Sequence, residues 1–128
     1  MWLLTGFARV PIIRHGTPDQ IERFVEPTIS GAQNLCFAIS ETDVGTNSFA
    51  MSSLATPDGD GYRLTGRKVF ISGAADADRM LVVARTQRAG EVERCTEGMS
   101  LFVVDSDAAG VELQPLNIDV GWPACFRR

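Results

Sequence analysis

Pro57-Asp58-Gly59-Asp60-Gly61 sits between Met51–Thr56 and Tyr62–Thr65, and its reading decides the fold. Pro presets φ, Gly tolerates φ > 0, and Asp bonds its own backbone, so this run reverses the chain at low cost. The short runs on either side are then a pair of strands. Outward from this turn the same pattern repeats. Leu35–Ser40 is a short apolar run, and Lys68–Ser72 alternates polar and apolar in part. Met80–Ala84 and Leu101–Val104 are unbroken apolar runs, the pattern of strands buried on both faces. Val111-Glu112-Leu113-Gln114-Pro115-Leu116 alternates cleanly, and Pro115 points to a sheet edge. Many short strands with Gly-rich turns predict a mainly β fold, an antiparallel sandwich or barrel. With no helix between the strands, a parallel βαβ sheet is not expected.

Upstream the pattern is helical, to about residue 33. Thr17-Pro18-Asp19-Gln20 is a helix start: Thr17 caps, Pro18 suits the first helical position, and Asp19 faces the positive end of the dipole. Ile21, Phe24 and Val25 form one apolar stripe, so a helix is predicted over Pro18–Phe24. Pro27 is expected to end or kink it, and Ser30-Gly31-Ala32 to be a loop.

The chain has 128 residues, 45% of them hydrophobic and 22% charged, an ordinary globular composition for one domain or one domain plus part of another. A net charge of −4 argues against nucleic-acid binding, which needs a basic surface. Apolar runs are too short for membrane insertion or a secretory leader. Cys36, Cys95 and Cys125 are far apart and odd in number, which fits thiols of a cytoplasmic protein and no metal site. The apolar start after Met1, and Trp122, Cys125 and Phe126 near the end, read as a piece of a larger protein; the alternative is a short protein that dimerises through an apolar tail.

The lone His15 has no partner at ligand spacing and reads as a surface or capping residue. Glu41 and Asp43 would share a face on a strand, as paired carboxylates do, but Val44-Gly45 after them favours a turn. Ser40–Ser48 is rich in hydroxyl and amide groups around Gly45, and offers a phosphate N–H and O–H donors without positive charge; a plain polar turn would look alike. GxGxxG, the P-loop and the GxSxG elbow are absent.

Several blocks resemble the acyl-CoA dehydrogenase family. Phe37-Ala38-Ile39-Ser40-Glu41-Thr42-Asp43-Val44-Gly45-Thr46-Asn47 is similar to the family's strand and EP-x-x-GSD loop. Asp60–Ala74 resembles DGDxYxLNGxKxWITNG, and Ala77-Asp78 with Leu81–Thr86 resembles its next strand. His15–Phe24 and Ser30-Gly31 resemble the helix and loop before the β-domain, so the likeness runs to about Gly121. It implies that residues 1–34 end a helical N-terminal domain and 35–128 form a truncated central β-domain, with the C-terminal helical domain absent. The family oxidises an acyl-CoA to its 2,3-enoyl-CoA: a carboxylate removes the α-proton while hydride leaves the β-carbon for FAD. Electron-transfer flavoprotein is the implied acceptor, and the full-length protein is expected to be a homo-oligomer.

The resemblance also implies site residues. Phe37 matches an aromatic beside the flavin. Ile39 and Ser40 match the strand end at the isoalloxazine edge, Ser40 standing for the usual Thr. Gly45 and Thr46 match the pair that approaches the FAD pyrophosphate and the CoA portion, so Thr46 is also the substrate-binding candidate. Phe70 matches the aromatic against the flavin ring, usually Trp, and Ser72 a Thr near flavin N5. No residue is assigned as the catalytic base, and Glu41 matches a motif Glu that is not the base. Thr42 for Pro, Asn47 for Asp and Gly73 for Asn point to a divergent branch, open to oxidase or other flavin chemistry. Read as residues alone, Phe37, Ile39 and Phe70 would be sandwich core, and a non-catalytic binding module or a degraded remnant stays open.

Overall fold

A computed structural model describes the backbone of residues 2–116 and 124–127 and the side chains of residues 6–116. Trp122 and the side chains of Cys125 and Phe126, expected to seek burial, lie outside the described residues.

The helical start is α1 (Trp2–His15), α2 (Pro18–Phe24) and α3 (Glu26–Ile29). Helix α2 has the predicted bounds. Gln20 N donates to Thr17 Oγ1 at 3.2 Å while Thr17 N donates to Gln20 Oε1 at 3.0 Å, a full capping box. Pro27 neither ends nor kinks this helix. The helix stops at Phe24, and Pro27 sits in the first turn of α3, where its missing N–H costs nothing.

Then come β1 (Leu35–Ala38), β2 (Leu54–Asp58), β3 (Gly61–Thr65), β4 (Lys68–Ser72), β5 (Arg79–Arg85), β6 (Met99–Asp105), β7 (Leu113–Leu116) and β8 (Ala124–Arg127). The β2–β3 turn is tighter than Pro57–Gly61 suggested: Asp58 pairs with Gly61, so only Gly59 and Asp60 turn, with Gly59 at φ 59°. Pro57 lies in β2, beyond the single pairing of Leu54 with Arg85, so no ladder bond needs its missing N–H on that side.

The mainly β fold stands, but the strands are not all antiparallel and the larger sheet is not closed. Strand β6 covers one edge of β5 antiparallel along its whole length. On the other edge β1 runs parallel to β5, from Leu35 opposite Arg79 to Ala38 opposite Val82, and β2 meets it at Leu54–Arg85, also parallel. The crossover from β1 to β5 runs through β2, β3 and β4, so the parallel pairing forms without the connecting helix that such a pair is expected to need. A second sheet has the order β4-β8-β7, with Pro115 in an edge strand as expected.

Two clusters share the larger sheet by the alternation of β1. Leu35 and Phe37 face Ala8, Ile12 and Val25 of the helical layer. Cys36 and Ala38 face Ile71, Ala74 and Ala77. Strand β6 is not buried on both faces: among the described residues it pairs with β5 alone, at the sheet's edge, and Leu101 stays exposed above a cleft against α1 and α2.

Gly66, between β3 and β4, has a packing reason to be glycine: a Cβ there would lie 2.1 Å from Ser53 Oγ and 2.8 Å from Ser53 Cα. Gly66→Ala should therefore cost about 1–3 kcal/mol, the usual scale of overpacking. Chemical denaturation checks this, and unchanged stability would mean that the two strands are not held this close.

Candidate functional site

Glu41 opens a tight turn: Val44 N donates to Glu41 O at 3.2 Å, and the two residues form an isolated bridge. That turns Asp43 outward and Glu41 inward, so the two carboxylates do not form a pair on one strand face. The Glu41 carboxylate is buried and lies 2.8 Å from Lys68 Nζ, also buried. It further accepts Ser52 N at 2.7 Å, Ser52 Oγ at 2.9 Å and Ser53 N at 3.0 Å. Lys68 Nζ also donates to Ile39 O at 3.1 Å.

Burial pulls the Glu41 pKa up, but the hydrogen bonds from Lys68, Ser53 and Ser52 outweigh it and leave the pKa at about 2. Burial pushes Lys68 below its ordinary value against the opposing pull of Glu41. The pair is therefore a lock whose carboxylate stays ionised near neutral pH and accepts from Lys68 Nζ. It fastens both ends of the 41–53 segment to the start of β4, and Val69 N donates to Ser40 O at 2.9 Å alongside it. Sequence reading missed Lys68. Its signal was a lysine set among apolar β4 residues, where an exposed strand face would not need the Val69 and Ile71 neighbours.

Most of the expected site residues lie on the elements that the lock joins. Ile39 and Ser40 are half-buried at the end of β1, and Gly45 and Thr46 lie exposed on the locked segment. Phe70 and Ser72 are on β4, with Phe70 63% exposed between buried Val69 and Ile71. Phe37 is the exception: it packs partly buried against the helical layer.

Two local features have no explanation among the described residues. Strand β4 carries an extra residue between Lys68 and Ile71, and at that bulge Phe70 takes φ 56°, among the described residues the one non-glycine at positive φ. A side chain held there costs on the order of 1–3 kcal/mol. Bulges of this kind aim a side chain, and this one aims a large ring into open space. Gly45, exposed on the locked segment, is the second: among the described residues a Cβ added there meets nothing within 4 Å and its φ is not in the left-handed region, as at Gly6 and Gly90, so the bare backbone is not a packing requirement. A ligand passing close to the backbone would need it. An exposed aromatic face and a bare backbone, both on locked elements, fit a flat ring with a phosphate-bearing tail. Among the described residues no cluster fit for a metal ion occurs, and no helix is long and apolar enough to cross a membrane.

Residues 36–126 match the acyl-CoA dehydrogenase middle domain. The chain belongs to the acyl-CoA dehydrogenase family, as its central β-domain with helices before it. It is 35% identical over 115 residues to the 3-(aryl)acrylate reductase of Clostridium sporogenes, covering 90% of this chain and 29% of that protein. It is 36% identical over 114 residues to the acyl-CoA dehydrogenase FadE12 of Mycobacterium tuberculosis, covering 88% of this chain and 28% of that one. Among solved structures, a glutaryl-coenzyme A dehydrogenase in complex with glutaryl-CoA superposes with a TM-score of 0.81 at 28% identity, over 93% of this chain and 30% of that one. The chain thus spans under a third of the length of these relatives.

Two outcomes are expected. The Glu41 pKa falls on folding from an ordinary 4.5 to about 2, so its contribution, about 3 kcal/mol at 1.36 kcal/mol per unit, is complete above pH 4.5 and lost as pH falls towards 2. Glu41→Gln should be less stable at neutral pH and lose stability less steeply over that acid window; an unchanged acid slope would contradict the lock. Phe70→Gly should hold or raise stability, by up to about 1 kcal/mol, because it releases the positive φ and gives up little buried area. A clear fall in melting temperature would mean that Phe70 is packed.

Proposed function

We propose that this chain forms the flavin- and acyl-CoA-facing wall of an FAD-dependent acyl-CoA dehydrogenase, acting on the CH–CH bond of an acyl-CoA thioester. The observation that carries this reading is Phe70, an exposed aromatic held at positive φ on a bulge beside the locked segment. FAD, when bound, takes up the hydride that leaves the β-carbon. Phe70 offers its ring face to the flavin and keeps water from that side. Ile39, Ser40 and Ser72 line the edge of the same ring, with hydroxyl donors where the family has threonines. Gly45 and Thr46 bring backbone and a hydroxyl to the pyrophosphate and the CoA portion. Phe37 backs the site through the sheet.

The base is not Glu41. A carboxylate that is buried, paired with Lys68 and shifted to about 2 binds a proton too weakly to take one from carbon near neutral pH. The base and the opposite wall belong to the part of the relatives that this chain does not span, with residues 1–34 as the end of a helical domain and 35–128 as the β-domain. Electron-transfer flavoprotein as acceptor, a homo-oligomeric full-length protein and a cytoplasmic location complete the reading.

Two measurements test it. In the protein extended to the length of its relatives, Phe70→Ala should weaken flavin binding by a few kcal/mol at most, the usual scale for an aromatic contact. Unchanged flavin affinity would return Phe70 to ordinary surface. The 128-residue chain alone, given excess FAD and a series of acyl-CoA thioesters, should bind flavin poorly and reduce no artificial acceptor. An absent base alone is worth about 10²–10⁴ in rate, and an open wall leaves the ring in water. Turnover above background would place the base inside this sequence and overturn the reading. A full-length protein that binds no flavin would favour a non-catalytic module.

A further inference from the structure

Arg85 ends β5 and is 2% exposed, yet no carboxylate pairs with it among the described residues. A guanidinium is a fork of N–H donors with no acceptor of its own, so burying it calls for acceptors. Backbone carbonyls supply them. Nη2 donates to Phe49 O at 2.8 Å and Cys95 O at 3.2 Å. Nη1 donates to Glu97 O at 3.0 Å and Gln87 O at 3.3 Å. Nε has no partner, so the whole grip passes through the two Nη groups. The backbone N–H of Arg85 also donates to Ser53 O at 2.8 Å.

The acceptors come from two separate segments. Phe49 lies in the short 3-10 turn Ser48–Ala50, directly after Thr46 and Asn47. Gln87, Cys95 and Glu97 lie in the connection between β5 and β6. A single Nη therefore bridges the two segments through one carbonyl of each. A planar fork with several donors can do this; an ammonium on a flexible stem cannot reach the same set. The 41–53 segment is then held by two unlike devices. The Glu41 carboxylate takes the N–H groups at its far end, and the Arg85 guanidinium takes a carbonyl from its middle.

We propose that Arg85 is a positioning residue: by tying the Ser48–Ala50 turn to the β5–β6 connection, it fixes Thr46 and Asn47 for the phosphate-bearing nucleotide end of the ligand. The ligand class rests on the reading of the preceding section; the clamp itself does not. The β5–β6 connection becomes part of the site's rim without touching the ligand. Loss of the clamp loosens the grip on the CoA end and leaves the reacting end as it was.

The first test needs no variant. In the wild-type chain the Nη protons of Arg85 should give resolved, slowly rotating NMR signals; rapidly averaged signals would overturn the clamp. The second compares Arg85→Lys and Arg85→Met by amide exchange in the 128-residue chain. Ala50 N and Met51 N donate to Asn47 O at 3.1 Å and Ser48 O at 3.3 Å within the clamped turn. Both amides should lose about tenfold or more in protection in both variants, the scale of a hydrogen bond to a charged group. Ser52 N and Ser53 N, held by Glu41, should change by less than about threefold. Rescue by lysine would show that charge alone matters, and a uniform loss across β5 and β6 would show a general stability role; either overturns the proposal. In the flavin-loaded enzyme, Arg85→Lys should raise KM for the acyl-CoA about tenfold and move kcat by less than about twofold. An equal fall in kcat would contradict positioning of the nucleotide end. Local loosening together with no flavin binding by any form extended to the length of the relatives, wild type included, would leave the clamp standing and sink the dehydrogenase reading instead.

Discussion

The candidate site depends on one buried ion pair. Glu41 and Lys68 lie 27 residues apart in sequence and 2.8 Å apart in space. Their contact joins the exit of β1, the end of the 41–53 segment and the start of β4. Two charges taken out of water are stabilising only when their remaining lone pairs and protons are met. Here most are: Ser52 and Ser53 fill the carboxylate, and Glu41 and Ile39 O take two of the three Lys68 protons. A pair met this fully fixes geometry, since a shift of either strand would leave a charge without its partners. Precise placement of a backbone and a ring is what a redox cofactor needs from its protein.

Around that lock, the glycines and the one strained side chain separate into two kinds. Gly66 is explained from within, because Ser53 fills the space a side chain would take. Gly45 and Phe70 have no such internal reason: among the described residues nothing asks for a bare backbone at Gly45 or for a positive φ at Phe70. Positions where local rules fail without internal compensation are where a ligand is expected. Both fall on elements that Glu41 and Lys68 tie together.

Much of this was legible in the sequence, for physical reasons. The Thr17–Gln20 cap and the bounds of α2 are local chemistry, and local chemistry is written in adjacent residues. The β2–β3 hairpin and the edge position of Pro115 follow from backbone constraints of single residues. The parallel pairing of β1 with β5 was not legible, because it depends on how the intervening strands carry the chain back. Nor was the exposure of β6: its apolar run looks buried until its place at a sheet margin is known. For the candidate site, motif likeness proposed Phe37, Ile39, Ser40, Gly45, Thr46, Phe70 and Ser72; of the residues that tie these elements together, Lys68 carried only the sign of a lysine among apolar β4 residues, and Arg85 carried none. Buried charges are paired across long sequence separations, and a sequence pattern of period two or 3.6 does not see such pairs.

The most direct test is a double-mutant cycle on the ion pair, with Glu41→Gln, Lys68→Met and both together followed by chemical denaturation at neutral pH. If the pair is the lock, either single change strands a buried partner, and the double change relieves part of the loss. The predicted coupling is at least about 2 kcal/mol, with the double variant as stable as, or more stable than, Glu41→Gln alone. Additive losses, with coupling below about 0.5 kcal/mol, would mean that the two charges stand beside each other without holding the site together.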